Sequence, residues 1–200
     1  MRIVKRLENV YVLEDFLPDP DEMRARALAA EYVDWEGPDG AVYKRISMTL
    51  EPDVIGILDH IFGGIELLGM AFRLNYGGEP PNQSIHSDMG WGTHALVLYL
   101  SDGPSGTAFW QHTKTGRNNI VPGDMELFEQ IKDDFENEDA WDQRAFVKMD
   151  YNKALIYSGD LFHSRYPFKA FGDCPENGRL ILVAFFTPLG DAQDEDSTGQ

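Results

Sequence analysis

From residue 66 onward the chain reads as a series of short β-like runs, one of which alternates with a period of two, the spacing of a strand with one buried face. From Met70 to Tyr76, Met, Phe, Leu and Tyr fall at every second position, with Ala71, Arg73 and Asn75 between them, and the run stops at Gly77-Gly78-Glu79-Pro80-Pro81. Ala95 to Leu100, Thr107 to His112 and Ala154 to Tyr157 are shorter β-like runs. The first is closed by Ser101-Asp102-Gly103-Pro104 and the last by Ser158-Gly159-Asp160, residue types that favour turns. Arg179 to Thr187 is almost continuously apolar, as a strand covered on both faces would be. Asn9 to Phe16 and Val42 to Leu50 predict two further strands.

Two early segments follow helical spacing instead. Asp19-Pro20-Asp21-Glu22 supplies an N-cap, a proline at the first helical position and an acid at the third, predicting a helix to about Glu31. After Pro52, the residues Val54, Ile55, Leu58, Ile61 and Phe62 recur on one helical face, and Gly63-Gly64 ends the run. Helices ahead of many short strands predict a mainly β, α+β fold with its helices packed on an antiparallel barrel or sandwich. The expected layout is one domain over 1–200, with an N-terminal strand and helix part (1–65), a β core (66–190) and an acidic tail (191–200). Met125 to Phe146 breaks the pattern by interleaving acids with Phe128, Phe135 and Trp141. It reads as a solvated acidic helix or loop, with a lid over a site as the alternative.

Composition narrows the function. With 200 residues, 42% of them hydrophobic, one core is affordable without a second domain. A formal net charge of −17 argues against a phosphate-backbone partner, and Lys5, Arg6, Lys44, Arg45 and Arg73 are the only hints of a basic groove. The single cysteine, Cys174, excludes an internal disulfide and a cysteine metal cluster. No run of about 18 apolar residues or signal-like segment stands out, so a cytoplasmic location is expected. The expected partner is a small-molecule or peptide substrate, with no nucleic acid and no membrane, and a homodimer is conceivable.

The candidate chemistry centres on Ser84-Ile85-His86-Ser87-Asp88. On extended backbone, side chains at i and i+2 leave the same face, so His86 and Asp88 can converge on one ion if their flanks are β. So short a motif is weak alone. A third candidate ligand, His163, lies on a later β-like run, with Arg179 at the head of the next strand. Two His and one carboxylate on one side of an open site suit non-haem Fe(II), and zinc with a water is the competing metal. His94 and His112 are candidates for substrate or supporting contacts, and Trp91 for a pocket wall.

Taken together, His86-x-Asp88, His163 and Arg179 in this order resemble the Fe(II)/2-oxoglutarate-dependent oxygenases, and within them the prolyl 4-hydroxylase-like branch. The opening Val10-Tyr11-Val12-Leu13-Glu14-Asp15-Phe16-Leu17 is similar to that branch's strand-then-helix entry. The resemblance implies a double-stranded β-helix (jelly-roll, cupin-like) core and iron held by His86, Asp88 and His163. It further implies 2-oxoglutarate on the iron, with its far carboxylate clamped by Arg179 or, failing that, Arg165. Tyr76 and Tyr99 resemble tyrosines that face the co-substrate. The implied activity is hydroxylation with O2, releasing succinate and CO2. Two other readings stay open: a cupin-like metal enzyme that does not use 2-oxoglutarate, and a non-catalytic β-barrel binding module.

Overall fold

The computed structural model describes residues 1–7, 9–37, 42–79 and 84–190. The chain runs β1 (Arg2–Leu7), β2 (Val10–Glu14), α1 (Pro20–Ala29), β3 (Val33–Glu36), β4 (Val42–Met48), α2 (Pro52–Phe62) and β5 (Ile65–Asn75). It continues with β6 (His94–Tyr99), β7 (Gly106–His112), α3 (Met125–Ile131), β8 (Trp141–Lys148), β9 (Ala154–Ser158), β10 (His163–Tyr166) and β11 (Arg179–Pro188). An eight-stranded sheet has the order β1-β2-β9-β6-β11-β5-β4-β3, and a three-stranded sheet the order β10-β7-β8. The paired strands are antiparallel. Among the described residues no helix is long and apolar enough to cross a membrane.

Local chemistry explains the helix ends. Asp19 Oδ1 accepts the Glu22 N–H at 3.2 Å, and Pro20 opens α1 where a missing N–H costs nothing. The carboxylate of Glu22 turns outward to Arg26 rather than completing a capping box, and α1 ends at Ala29, short of Glu31. Gly63, at φ 70°, takes the left-handed conformation that stops α2. Glu51, just before α2, is buried and accepts from Arg26 of α1 at 2.9 Å, tying the two helices together.

The large sheet has a different partner on each face. Leu180, Leu182, Ala184 and Phe186 of β11 face α1 and α2, packing with Met23, Val54 and Leu58. Leu58, Leu98 and Leu182 are fully buried, worth roughly 1.5–3 kcal/mol each. On the opposite face Val12, Val97, Leu155 and Tyr157 meet Phe109 and Val147 of the small sheet. Arg179, Ile181, Val183 and Phe185 project to that same side and line a cavity between the sheets. The continuous apolar run of β11 thus has helices on one face and the second sheet on the other.

Two expectations change, and a third falls outside the described residues. The 1–65 part does more than pack on the β core, because β1, β2, β3 and β4 are strands of the large sheet itself. Residues 125–146 are neither a lid nor a wholly solvated piece. Leu127 and Ile131 of α3 and Trp141 of β8 are buried against Trp110 and Phe162, and β8 pairs with β7 along its length. The acidic tail at 191–200 lies outside the described residues.

Candidate metal centre and its cavity

His163 opens β10, where it pairs with Phe109 of β7. His86 lies outside the named strands, in an isolated antiparallel bridge: its N–H donates to the His163 carbonyl at 3.0 Å, and the His163 N–H donates back at 2.8 Å. The β flanks expected around His86 therefore reduce to one bridge, which suffices to fix the two imidazoles side by side. The Ile85 N–H donates to the Phe135 carbonyl at 2.8 Å, and its side chain is fully buried, so the segment after α3 supports the ligand loop from behind. Asp88 is pinned by its own N–H, donated to the Gly159 carbonyl at 2.7 Å.

These contacts bring one ligand atom from each of His86, Asp88 and His163 within 4.8 Å of one another. His86 Nε2 is 3.7 Å from Asp88 Oδ1, and His163 Nε2 is 3.1 Å from Asp88 Oδ2. Both rings present the other nitrogen to a backbone carbonyl, His86 Nδ1 to Ser84 at 3.2 Å and His163 Nδ1 to Leu161 at 2.9 Å. That arrangement assigns the proton to Nδ1 and leaves Nε2 free to ligate. The Tyr157 hydroxyl donates to Asp88 Oδ2 at 3.0 Å and lies 3.0 Å from His163 Nε2.

The electrostatics couple the three side chains, and the proton that Asp88 favours on His163 is the one a metal ion would replace. Burial opposes the Asp88 charge, but the adjacent His163, as charge and as hydrogen-bond partner, outweighs it and holds the carboxyl down at about 2. For His163 burial works in the opposite sense, and Asp88 raises its pKa above the ordinary imidazole value. His86, its side chain still 44% exposed to the cavity, is lowered by desolvation and by His163, which keeps it neutral. Two imidazoles and a carboxylate on one side of an open cavity are a donor set that fits Fe(II) or zinc.

The cavity, about 190 Å³, also receives Arg179, Arg165 and Arg73. Arg179 is 4% exposed, no carboxylate among the described residues lies within 4.0 Å of it, and its Nε has no hydrogen-bond partner. Burial pulls its pKa down to about 10, helped by Arg165 and Arg73 and opposed by Tyr99. Arg165 is differently placed, since it lies 3.8 Å from Glu79 and donates to the Phe168 carbonyl. Tyr99 is fully buried beneath the cavity, its hydroxyl 2.8 Å from Thr107 Oγ1 and its ring centroid 5.9 Å from Arg179 Cζ.

Several candidates lie elsewhere. Tyr76 does not reach the cavity; its ring packs against the helix-side core with Arg45 Cζ 3.8 Å above it. The reason is phase: Tyr76 continues the Met70, Phe72, Leu74 series, opposite to Arg73 and Asn75. His94 stacks on Phe186, and His112 is buried between Thr115 and Asp134, both away from the cavity. Trp91 does line the wall, packed between Trp35 and Phe185 at 5.7 and 5.6 Å between centroids. Tyr157, Arg73 and Trp35 were not singled out for the site from sequence; Tyr157 read only as the end of a β-like run, and Arg73 only as one of five hints of a basic groove.

Comparison with known proteins agrees with this architecture. The non-heme alpha ketoglutarate dependent epimerase SnoN from nogalamycin biosynthesis is similar at TM-score 0.52 and 16% identity, over 96% of this chain and 86% of that one. The non-heme alpha ketoglutarate dependent carbocyclase SnoK from the same biosynthesis is similar at TM-score 0.57 and 11% identity, over 89% and 79%. HygX from Streptomyces hygroscopicus with iron bound is similar at TM-score 0.50 and 11% identity, over 90% and 83%. At such identities the likeness is one of fold; two of these neighbours are named as non-heme alpha ketoglutarate dependent enzymes, and the third holds iron. No curated protein matches by sequence. A family model described as a family of unknown function, DUF6445, matches residues 83–186, more than half of the chain, and the chain belongs to that family.

Proposed function

We propose that this protein is an Fe(II)- and 2-oxoglutarate-dependent dioxygenase that hydroxylates a small-molecule or peptide substrate. The observation that carries the reading is the convergence of His86, Asp88 and His163 in a cavity that also holds the buried, carboxylate-free Arg179. Iron would be held by those three side chains, and with the oxo acid and O2 it would supply the oxidising chemistry. The chain's own part is to bind, orient and exclude water. Arg179 presents a planar fork suited to the far carboxylate of 2-oxoglutarate, and Arg165, already engaged by Glu79 and Phe168, is the weaker claimant. Tyr157 fixes the orientation of Asp88, and the apolar wall of Ile181, Val183 and Phe185 keeps the cavity dry beside the ligands.

The two antiparallel sheets are read as a double-stranded β-helix within one domain, acting in the cytoplasm. Placement in the prolyl 4-hydroxylase-like branch rests on the opening strand and helix and on Tyr99 beside Arg179, because Tyr76 faces away from the cavity. The test is thermal unfolding with Mn(II) as a redox-inert stand-in. Mn(II) and 2-oxoglutarate together should stabilise the protein more than either alone, and Asp88→Ala should lose the effect. Stabilisation by neither would remove the reading.

A further inference from the structure

The cavity contains more positive charge than the proposed co-substrate can use. A metal dication, Asp88 and the dianion of 2-oxoglutarate sum to one negative charge, which Arg179 neutralises. Arg73 is left over. It projects from β5 into the cavity, its Nε has no hydrogen-bond partner among the described residues, and no carboxylate among them lies within 4.0 Å. Glu79, the nearby acid, is already shared by Arg45 and Arg165. A half-buried guanidinium with no carboxylate within ion-pair distance and a buried, unpartnered Nε is poorly satisfied, which makes it a candidate for receiving an anion.

Strand register gives the direction in which that anion's body extends. Along the cavity floor the β5 and β11 pairs run Asn75 with Arg179, Arg73 with Ile181, Ala71 with Val183, and Gly69 with Phe185. Arg73 therefore lies one pleat beyond the clamp position, and the floor continues from it over apolar side chains to Phe185 and Trp91. Four residues of strand separate Arg73 from Gly69, about 13 Å. At that far end Trp35, Trp91 and Phe185 form an aromatic wall, and Gly69 leaves the space before Phe185 open, a Cβ there lying 3.8 Å from the ring.

We propose that the primary substrate is a carboxylic acid with an aryl or similarly flat apolar body, its acid received by Arg73 and its body lying against Trp91 and Phe185. The inference rests on the preceding reading, since it assigns the cavity space that 2-oxoglutarate does not fill. An acidic substrate also fits Arg73 as a separate point of recognition, distinct from Arg179.

The test is calorimetric titration of the full chain, held anaerobically with Fe(II). The probes are phenylacetate, indole-3-acetate and 1-naphthylacetate, each against its neutral amide, with and without saturating 2-oxoglutarate. At least one acid should bind about tenfold or more tightly than its amide, the worth of one charge-assisted hydrogen bond, and should do so with 2-oxoglutarate present. Arg73→Met should erase that preference while binding 2-oxoglutarate like the wild type, which also shows the variant is folded. Gly69→Val, which narrows the aromatic end, should weaken acid and amide alike. Equal or absent binding of acids and amides overturns the inference, as does displacement of the acids by 2-oxoglutarate or loss of 2-oxoglutarate binding in Arg73→Met. A wild type that ignores 2-oxoglutarate refutes the co-substrate reading instead, while an acid preference that vanishes in Arg73→Met would still uphold the role of Arg73.

Discussion

Tyr157 donates its hydroxyl to Asp88 Oδ2 at 3.0 Å from within the core, so one strand of the large sheet positions a ligand contributed by a loop. Removing that hydroxyl takes away one of the hydrogen bonds that orient the carboxylate. Tyr157→Phe should weaken divalent metal binding by about 10- to 100-fold, the usual cost of losing a ligand-orienting contact, with little change in secondary structure. Competition with a metal-sensitive dye against the wild type measures it.

Gly159 makes the same connection through the backbone. Its carbonyl accepts the Asp88 N–H, and an added Cβ would lie 2.7 Å from the Gly92 carbonyl oxygen and 3.5 Å from that of Asp88. Both neighbours are main chain and cannot swing aside. Gly159→Ala should cost about 1–3 kcal/mol in chemical denaturation, as overpacking does. It should also lower metal affinity, because the backbone that must move carries Asp88.

Arg179 and Arg165 separate the two clamp assignments. Arg179→Met replaces a buried, carboxylate-free charge with an apolar chain of similar length, a change that folds tolerate well. It should retain metal binding and lose the added thermal stabilisation by 2-oxoglutarate. Arg165→Met should keep most of that stabilisation, since Glu79 retains Arg45 as a partner. The reverse pattern would move the clamp to Arg165.

Much of the fold was readable because strands covered on both faces stand out as short, nearly continuous apolar runs bounded by turn residues. The runs at 95–100, 107–112, 154–157 and 179–187 correspond to β6, β7, β9 and β11 with ends shifted by a residue or so. β8 escaped for a physical reason: a register shift between Phe109 and Trp110 breaks its alternation against β7, and much of its surface is exposed. The edge strand β3 carries little apolar signal because little covers it. The His86, Asp88 and His163 grouping was visible as residue types, but its supports were not. Tyr157 reaches Asp88 only because β9 lies beside β6 in the large sheet, and Arg73 meets the cavity only through the register of β5 on β11. The misassignment of Tyr76 was avoidable, since its phase along β5 matched Leu74 rather than Arg73.

The central claim is that one cavity holds both a metal on His86, Asp88 and His163 and an oxo acid chelated to it. Anaerobic addition of Fe(II) and then 2-oxoglutarate to the purified protein tests this directly, with the visible charge-transfer absorption of the iron chelate as the signal. A saturable band that disappears in His163→Ala is the expected result. A folded protein that shows no band at saturating Fe(II) and 2-oxoglutarate would contradict it.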